Sequence, residues 1–406
     1  MAQGEITDDS AERLAFERSL RALRGFSFFT YPLAAVPLLF FFYRERGITM
    51  GDYGTLVSIG YASMVVFELP TGWLADRVGR RLPMLLGPFF FGLGWLITWL
   101  GTTWNAFALG QVAMSFGHAL ISGPPSALLY ELLHAAGRRE DYLQEEGKQW
   151  RRVILGSAIA FALGGVIGHF VSLGAAVFCS ALLCFAAIPF AACLRESKPA
   201  TSKATRLLDA SEEGLARRLT KTLLHVEVRW LLLCYVLLFF LLRFGFHTWQ
   251  PWLAQSAGDE ALLLGALYAS FSFFSLPFVK LGPRLARRIG DEGTLVLLCA
   301  ICAVSVLLLS TSSSLWLVPL LYAQQIPFAL HRPLAHAYAN HRVDSRDRAL
   351  VLSTLSFAGR LGFACAFALL LDDDAAVRDV YLEVGVVSVA CVVVIGLARP
   401  RRPARA

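Results

Sequence analysis

Long apolar stretches alternate with short polar breaks along the whole chain. Each stretch is about 20 residues long, which is the length that an α-helix needs to cross a bilayer. The apolar runs are continuous, as at residues 39–42 and 236–240, whereas the strands of a membrane barrel alternate apolar and polar residues. Since only helices and closed barrels satisfy their backbone hydrogen bonds in lipid, the pattern predicts membrane-spanning helices.

The pattern contains twelve such stretches, numbered here as spans one to twelve. They cover residues 25–43, 53–74, 82–101, 104–130, 152–172, 174–194, 229–252, 260–281, 293–313, 315–338, 349–371 and 376–398. The predicted fold class is an all-α membrane protein, with six spans on each side of one long polar stretch. We expect an N-terminal six-helix bundle at 1–194, a cytoplasmic linker at 195–228 and a C-terminal six-helix bundle at 229–406.

Composition supports the membrane assignment, and the distribution of charge predicts an orientation. Charged residues make up 17% of the chain, against about 25% in soluble proteins. The net charge of +7 could indicate nucleic acid, but nearly all of the 37 Lys and Arg residues fall between spans on one side of the predicted membrane. This asymmetry follows the positive-inside rule and places both termini in the cytoplasm. We therefore expect a lipid bilayer and no nucleic acid as partner.

A short segment is repeated at equivalent places in the two halves. Residues 74–79 (LADRVG) lie between spans two and three, and residues 285–290 (LARRIG) lie between spans eight and nine. Six-helix repeats around a site near the middle of the membrane are a known architecture of transporters. The repeat therefore predicts a transporter built from two related halves.

The segment at 68–81 (ELPTGWLADRVGRR) closely resembles the signature of the major facilitator superfamily between helices two and three. The resemblance implies twelve helices in two pseudo-symmetric bundles, in a bacterial inner (plasma) membrane, and a monomer. In the family this segment latches the two halves in the outward-open state. The implied latch residues are Gly72, Asp76, Arg77, Gly79, Arg80 and Arg81.

Each type of residue in this segment has a physical reason to be there. Gly72 is expected to allow a close helix contact and Gly79 a tight turn. Asp76 can face the N-terminus of a neighbouring helix, where a carboxylate is favoured. The arginines can anchor the loop at the anionic inner leaflet.

Other patches resemble bacterial efflux-type members of the same superfamily, with two departures. Residues 122–131 (SGPPSALLYE) are similar to a small-residue segment of that group. The arginine that proton-coupled members often carry in helix four is absent at 112–114, and span five has glycines but lacks the Gly-Pro of the antiporter signature. An antiporter is therefore a hypothesis, since helix packing alone can explain glycines at this place.

Ionisable side chains within the spans are the candidates for a site, because they are costly in lipid. Arginines and histidines outnumber carboxylates there, which predicts an electropositive cavity that attracts an organic anion or an amphiphile with an acidic head. The alternative is that these groups serve the fold alone. The predicted substrate-binding residues are Arg243, His247, Arg332, Trp249, His118 and Tyr268.

Proton coupling requires a group that can change its charge near neutral pH, and histidine does so without perturbation. The candidates are His118 and His247, with Glu131 and Glu68 if burial raises their pKa. No cofactor and no metal site is predicted, and a proton gradient is the expected source of energy.

The leading hypothesis is a secondary active transporter that exports a small organic anion or amphiphile, such as a drug or metabolite, by alternating access. The alternatives are an uptake permease or anion exchanger on the same fold, or a lysolipid flippase-like transporter. The sequence has no nucleophile, phosphate-binding or metal-ligand motif, so we expect no enzyme and assign no catalytic residue.

Overall fold

The structure is a computed structural model that describes residues 2–31, 33–194, 223–258, 260–343, 347–373 and 376–400. Helices and short 3-10 turns make up nearly all of these residues, which confirms the predicted all-α fold class. The α-helices are α1 (Ala2–Phe28), α2 (Leu39–Arg44), α3 (Met50–Val78), α4 (Arg81–Leu100), α5 (Trp104–Ile121), α6 (Pro124–Ala135), α7 (Tyr142–Phe170), α8 (Leu173–Phe185), α9 (Ile188–Ala192), α10 (Val226–Ala257), α11 (Ala261–Ser275), α12 (Gly282–Leu309), α13 (Val318–Ala323), α14 (Gln325–Arg342), α15 (Arg348–Leu370) and α16 (Val377–Leu397).

Eight helical segments in the described part of the chain are long and apolar enough to cross a membrane. They are Arg81–Leu100, Arg139–Phe170, Leu173–Ala192, Val226–Gln255, Ala261–Phe278, Arg284–Leu309, Leu350–Leu370 and Val377–Leu397. These segments correspond to spans three, five to nine, eleven and twelve. The other four predicted spans are also helical, but three of them are interrupted.

The interruptions coincide with helix-terminating chemistry. Span one is not a single helix, because the chain leaves helical geometry between α1 and α2, where Pro37 lies in a 3-10 turn. Span four breaks between α5 and α6, and α6 begins at Pro124, which needs no N–H partner in a first turn. The exception is span ten, where the single residue Gln324 divides α13 from α14 but keeps helical backbone angles and donates its N–H to the carbonyl of Leu320 at 3.2 Å. Span two lies within the single helix α3.

Side-chain caps set two other helix starts. The hydroxyl of Thr103 accepts a hydrogen bond from the backbone N–H of Ala106 at 3.3 Å, and α5 begins at the next residue. The hydroxyl of Ser172 accepts in the same way from Ala175 at 3.0 Å and starts α8. Such caps satisfy N–H groups that have no partner within the helix.

The chain divides into two compact units. Unit 1 comprises Met1–Arg46, Ser63–Ala210 and Ala261–Ser270, and unit 2 comprises Gly47–Ala62, Ser211–Glu260 and Phe271–Ala406. Helices α3 and α11 therefore each begin in one unit and end in the other. Most of the predicted linker, at 195–222, lies outside the described residues.

In unit 1, α4 packs against α5 and α8. The α4–α5 interface uses glycines for close approach: a Cβ on Gly94 would lie 2.7 Å from the carbonyl oxygen of Gly110, and a Cβ on Gly117 would lie 2.4 Å from the backbone nitrogen of Phe91. Contacts of this kind let two helices associate through dispersion forces where no hydrophobic effect acts between them.

In unit 2, α12 packs against α16, and α10 packs against α15. Two buried tryptophans join helices through their indole N–H groups. Trp230 donates to the carbonyl of Ile395 at 2.9 Å, and Trp252 donates to the carbonyl of Leu309 at 3.0 Å. Each bond satisfies a polar group that would be costly to bury unpaired.

Candidate functional site

The loop motif of unit 1 is centred on Arg80, which follows the turn at the end of α3. Gly79 has φ +90°, a conformation that favours glycine, so the expected tight turn is present. The guanidinium of Arg80 contacts the carboxylate of Asp76 at 2.9 Å and that of Glu131 on α6 at 3.5 Å. One arginine therefore joins the ends of two helices.

The other motif residues have separate partners. The Arg77 guanidinium lies 4.0 Å from the centre of the Trp73 ring, and Arg81 donates to the carbonyl oxygen of Ala192 at 2.7 Å. A side chain at Gly72 would meet nothing within 4 Å among the described residues. The expected close helix contact at Gly72 is therefore wrong for this structure.

The repeated segment in unit 2 has the same turn and the opposite charge order. Gly290 has φ +80°, which matches Gly79. The residue after it is Asp291, whose carboxylate lies 3.2 Å from Nδ1 of His341 at the end of α14. Next to this pair, Arg342 contacts the carboxylate of Glu292. In unit 1 a base follows the glycine and contacts acids, whereas in unit 2 acids follow the glycine and contact bases at the end of α14.

His247 on α10 lies between two tyrosines from the first half of α3. Its Nδ1 is 3.4 Å from the Tyr53 hydroxyl, which is also 3.3 Å from the backbone carbonyl of His247. Its Nε2 is 3.3 Å from the Tyr61 hydroxyl. Residues 47–62 belong to unit 2, so this cluster lies within one unit.

These distances assign a complete set of bonds to the neutral imidazole. Tyr53 donates to the carbonyl of His247 and accepts from Nδ1–H, while Tyr61 donates to Nε2. A neutral imidazole has one donor and one acceptor, and both have a partner here. A second proton on Nε2 would require the Tyr61 hydroxyl to turn from donor to acceptor.

The predicted arginines of this region also lie in unit 2. The Arg243 guanidinium is half-buried and lies 5.4 Å from the centre of the Phe239 ring, on the turn of α10 before His247. Arg332 on α14 is exposed. Next to Arg332, the buried His331 donates from its Nδ1 to the carbonyl of Phe328 at 2.8 Å.

Trp249 takes part in an aromatic cluster. Its ring centre is 5.2 Å from that of Phe271, which is 4.7 Å from that of Tyr322, and Phe274 is 5.1 Å from Tyr322. Edge-to-face contacts dominate, as expected for aromatic quadrupoles. Beside this cluster the buried side chain of Gln324 faces α10.

The other two predicted binding residues, His118 and Tyr268, belong to unit 1. The His118 imidazole lies 5.1 Å from the Tyr31 ring and 6.3 Å from the Phe91 ring. Tyr268 is buried and meets Phe161 edge-on at 5.9 Å. Of the predicted carboxylates, Glu131 is held by Arg80, and Glu68 lies two turns before Asp76 on α3.

The sequence did not identify Tyr53, Tyr61 and Gln324. The tyrosines are ordinary residues of an apolar helix, and their importance comes only from the histidine that they contact. A glutamine within a predicted span is polar where polar groups are costly, and this signal could have identified Gln324.

Comparison with known proteins places the chain in a family. A sequence profile described as Major Facilitator Superfamily matches residues 21–367. The match covers more than half of the chain, so the protein belongs to the major facilitator superfamily.

Two curated relatives align over shorter segments. An uncharacterized transporter of Buchnera aphidicola subsp. Schizaphis graminum (strain Sg) is 33% identical over 92 residues, which is 23% of this chain and 21% of that protein. A protein named probable L-galactonate transporter, from Escherichia coli (strain K12), is 32% identical over 76 residues, or 19% of this chain and 17% of that protein. The chain thus spans about a fifth of each relative's length.

Solved transporter structures share the fold over nearly the whole chain. A variant of the nucleoside transporter NupG has a TM-score of 0.80 at 13% identity and covers 93% of this chain and 99% of its own. A POT family transporter in complex with 5-aminolevulinic acid has a TM-score of 0.72 at 13% identity, covering 93% and 95%. This likeness shows the fold, and the family membership together with the apolar helices indicates a multi-pass membrane protein.

Proposed function

We propose that this transporter exports a small organic anion, or an amphiphile with an acidic head, by proton-linked alternating access in the bacterial inner membrane. The termini lie in the cytoplasm and the protein acts as a monomer. Its predicted halves, at 1–194 and 229–406, are joined by the linker at 195–228 and rearrange around the substrate.

One observation carries the anionic substrate class. Arg243 lies within a membrane-spanning helix and has no carboxylate within ion-pair distance in the described part of the chain. A permanent positive charge in this position is stabilised by an anionic ligand, through charge-assisted hydrogen bonds. Arg332 on α14 adds a second positive charge in the same unit. The aligned relative's name includes L-galactonate, a sugar carboxylate, which agrees with an anion.

The cluster around His247 supports proton coupling. The imidazole is satisfied when neutral, and a proton on Nε2 changes the direction of its bond with Tyr61. Since Tyr53 and Tyr61 lie on α3, protonation acts on a helix that passes from unit 2 into unit 1. His118, Glu68 and Glu131 are the other proposed coupling groups.

The latch is proposed to act through Arg80, which holds Asp76 and Glu131 together in this structure. We assign the remaining motif residues, Arg77, Gly79 and Arg81, to the shape and anchoring of the same loop.

A thermal-shift screen of the purified protein against organic acids, cationic drugs and lysolipids tests the substrate class. Stabilisation by acids that is lost in the Arg243→Gln, Arg332→Gln double variant supports the proposal. The matched control is Arg151→Gln, which removes the same charge from an exposed position on α7. Stabilisation by cations alone would refute an anionic substrate, and a lysolipid response would favour the flippase-like alternative.

Direction and coupling are tested with the best acid in proteoliposomes. If the protein is a proton-linked exporter, the acid should be driven across the membrane in the direction opposite to proton flow. If it is a proton-linked uptake permease, the acid should move in the same direction as the protons. Transport that ignores an imposed pH gradient would remove proton coupling.

A further inference from the structure

Gln324 is a buried polar residue that the proposed anion site does not use. Its side chain is 1% exposed, and neither its Oε1 nor its Nε2 has a hydrogen-bond partner among the residues described. The neighbouring Gln325 is also buried, at 4% exposed, but its amide donates to the carbonyl of Leu321 at 3.2 Å. The two adjacent glutamines thus differ in a testable way.

A buried amide without partners is unfavourable, because it has lost its bonds with water and gained none. Such groups are rare in folded proteins, and each of them requires a physical explanation. Gln324 lies between α13 and α14, and its backbone angles are helical.

The surroundings of Gln324 also have the character of a binding site. A Cβ built on Gly245 would lie 2.5 Å from Oε1 of Gln324 and 2.9 Å from Nε1 of Trp249. A hydrogen-bond acceptor and an indole donor therefore converge on the part of α10 that lacks a side chain. The aromatic rings of Trp249, Phe271 and Tyr322 lie next to them.

We propose that Gln324 recognises a neutral part of the transported molecule that both donates and accepts hydrogen bonds, with the aromatic cluster packed against its carbon face. A carboxamide presents one acceptor and two donors, so it matches adjacent hydroxyls or the edge of a lactam. The inference rests on the proposed function, because it places this polar part in the same substrate as the anionic group.

The first test is the stability of two matched variants without ligand. Gln324→Met keeps the approximate volume and removes an amide without partners, so its melting temperature is expected to equal or exceed that of the wild type. Gln325→Met removes a made hydrogen bond and is expected to lower the melting temperature. A Gln324→Met protein that loses as much stability as Gln325→Met, or that fails to fold, would overturn the inference.

The second test uses four probes on the purified protein: gluconate, sorbitol, uridine and hexanoate. Gluconate has a carboxylate and hydroxyls, sorbitol only hydroxyls, uridine a lactam edge with hydroxyls, and hexanoate only a carboxylate. We expect gluconate to bind more tightly than hexanoate, and Gln324→Met to weaken gluconate by at least about tenfold. Hexanoate binding should be unchanged in that variant.

The probes separate this inference from the proposed function. Suppose that sorbitol or uridine binds the wild type more tightly than Gln324→Met, and that the carboxylates of gluconate and hexanoate add no affinity. The anion proposal then fails and the role of Gln324 stands. If gluconate and hexanoate bind equally, or Gln324→Met leaves every probe unchanged, the role of Gln324 fails. The role of Gln324 also fails if no probe that carries hydroxyls or a lactam stabilises the wild type. A preference between sorbitol and uridine identifies whether hydroxyls or a lactam edge bind Gln324.

Discussion

Two glycines form a close backbone contact between α7 and α11, and adding one methyl group there should weaken it. A Cβ on Gly165 would lie 2.8 Å from the Cα of Gly265, and a Cβ on Gly265 would lie 2.6 Å from the Cα of Gly165. Both helix segments belong to unit 1, and α11 leaves that unit after Ser270. We expect Gly165→Ala to disfavour the arrangement in which these helices touch.

The size of the effect follows from these distances. Two carbon atoms pack best at about 3.5–4 Å, so the helices must separate by roughly 1 Å to admit the methyl group. Overpacking of this kind typically costs about 1–3 kcal/mol. That corresponds to roughly a 5- to 150-fold shift in the equilibrium between the packed arrangement and its alternatives.

The assay is thermal unfolding of the purified protein, together with transport of an identified substrate in proteoliposomes. The control is Gly147→Ala on the same helix, where a Cβ meets nothing within 4 Å in the described structure. That control should gain up to about 1 kcal/mol from helix propensity. Gly165→Ala should melt lower, and adding Gly265→Ala should cost less than it does alone, because the helices have already separated. Equal melting of Gly165→Ala and Gly147→Ala would refute the reasoning.

Two further predictions concern α3. The hydroxyl of Thr49 and the N–H of Gly51 lower the pKa of Asp373 from its ordinary value of 3.8, so its contribution should be present above that pH and lost as the pH falls through the lower folded value. Asp373→Asn should therefore increase hydrogen exchange at the start of α3 at neutral pH. Tyr61→Phe removes the donor to His247 and should shift the pH dependence of transport while leaving the free energy of unfolding within about 1 kcal/mol of the wild type.

Each of these has a clear contrary result. Exchange at the start of α3 that is the same in Asp373→Asn and in the wild type would show that the carboxylate does not stabilise that turn. An unchanged pH profile in Tyr61→Phe, with Tyr53→Phe as the companion variant, would separate His247 from proton coupling.

The sequence alone determined the class of fold and the place of the loop motif. A membrane-spanning helix satisfies its backbone within one segment and needs about 20 apolar residues, so its presence is a local property that composition reveals. The tight turns at Gly79 and Gly290 are equally local, because a positive φ is a property of one residue. The interruptions in spans one and four were less readable, because Pro37 and Pro124 mark them but Pro88 and Pro251 lie inside unbroken helices.

Only the tertiary structure decided which polar groups have partners. Tyr53 and His247 are 194 positions apart, and nothing near either residue indicates the other. The same holds for Gly165 and Gly265, whose contact arises from helix packing. Gln324 and Gln325 are identical in type and adjacent in the chain, yet the amide of Gln325 is bonded and that of Gln324 has no partner in the part of the chain that the structure describes. Successive residues of a helix point in directions about 100° apart, and only the packed neighbours decide what each direction meets.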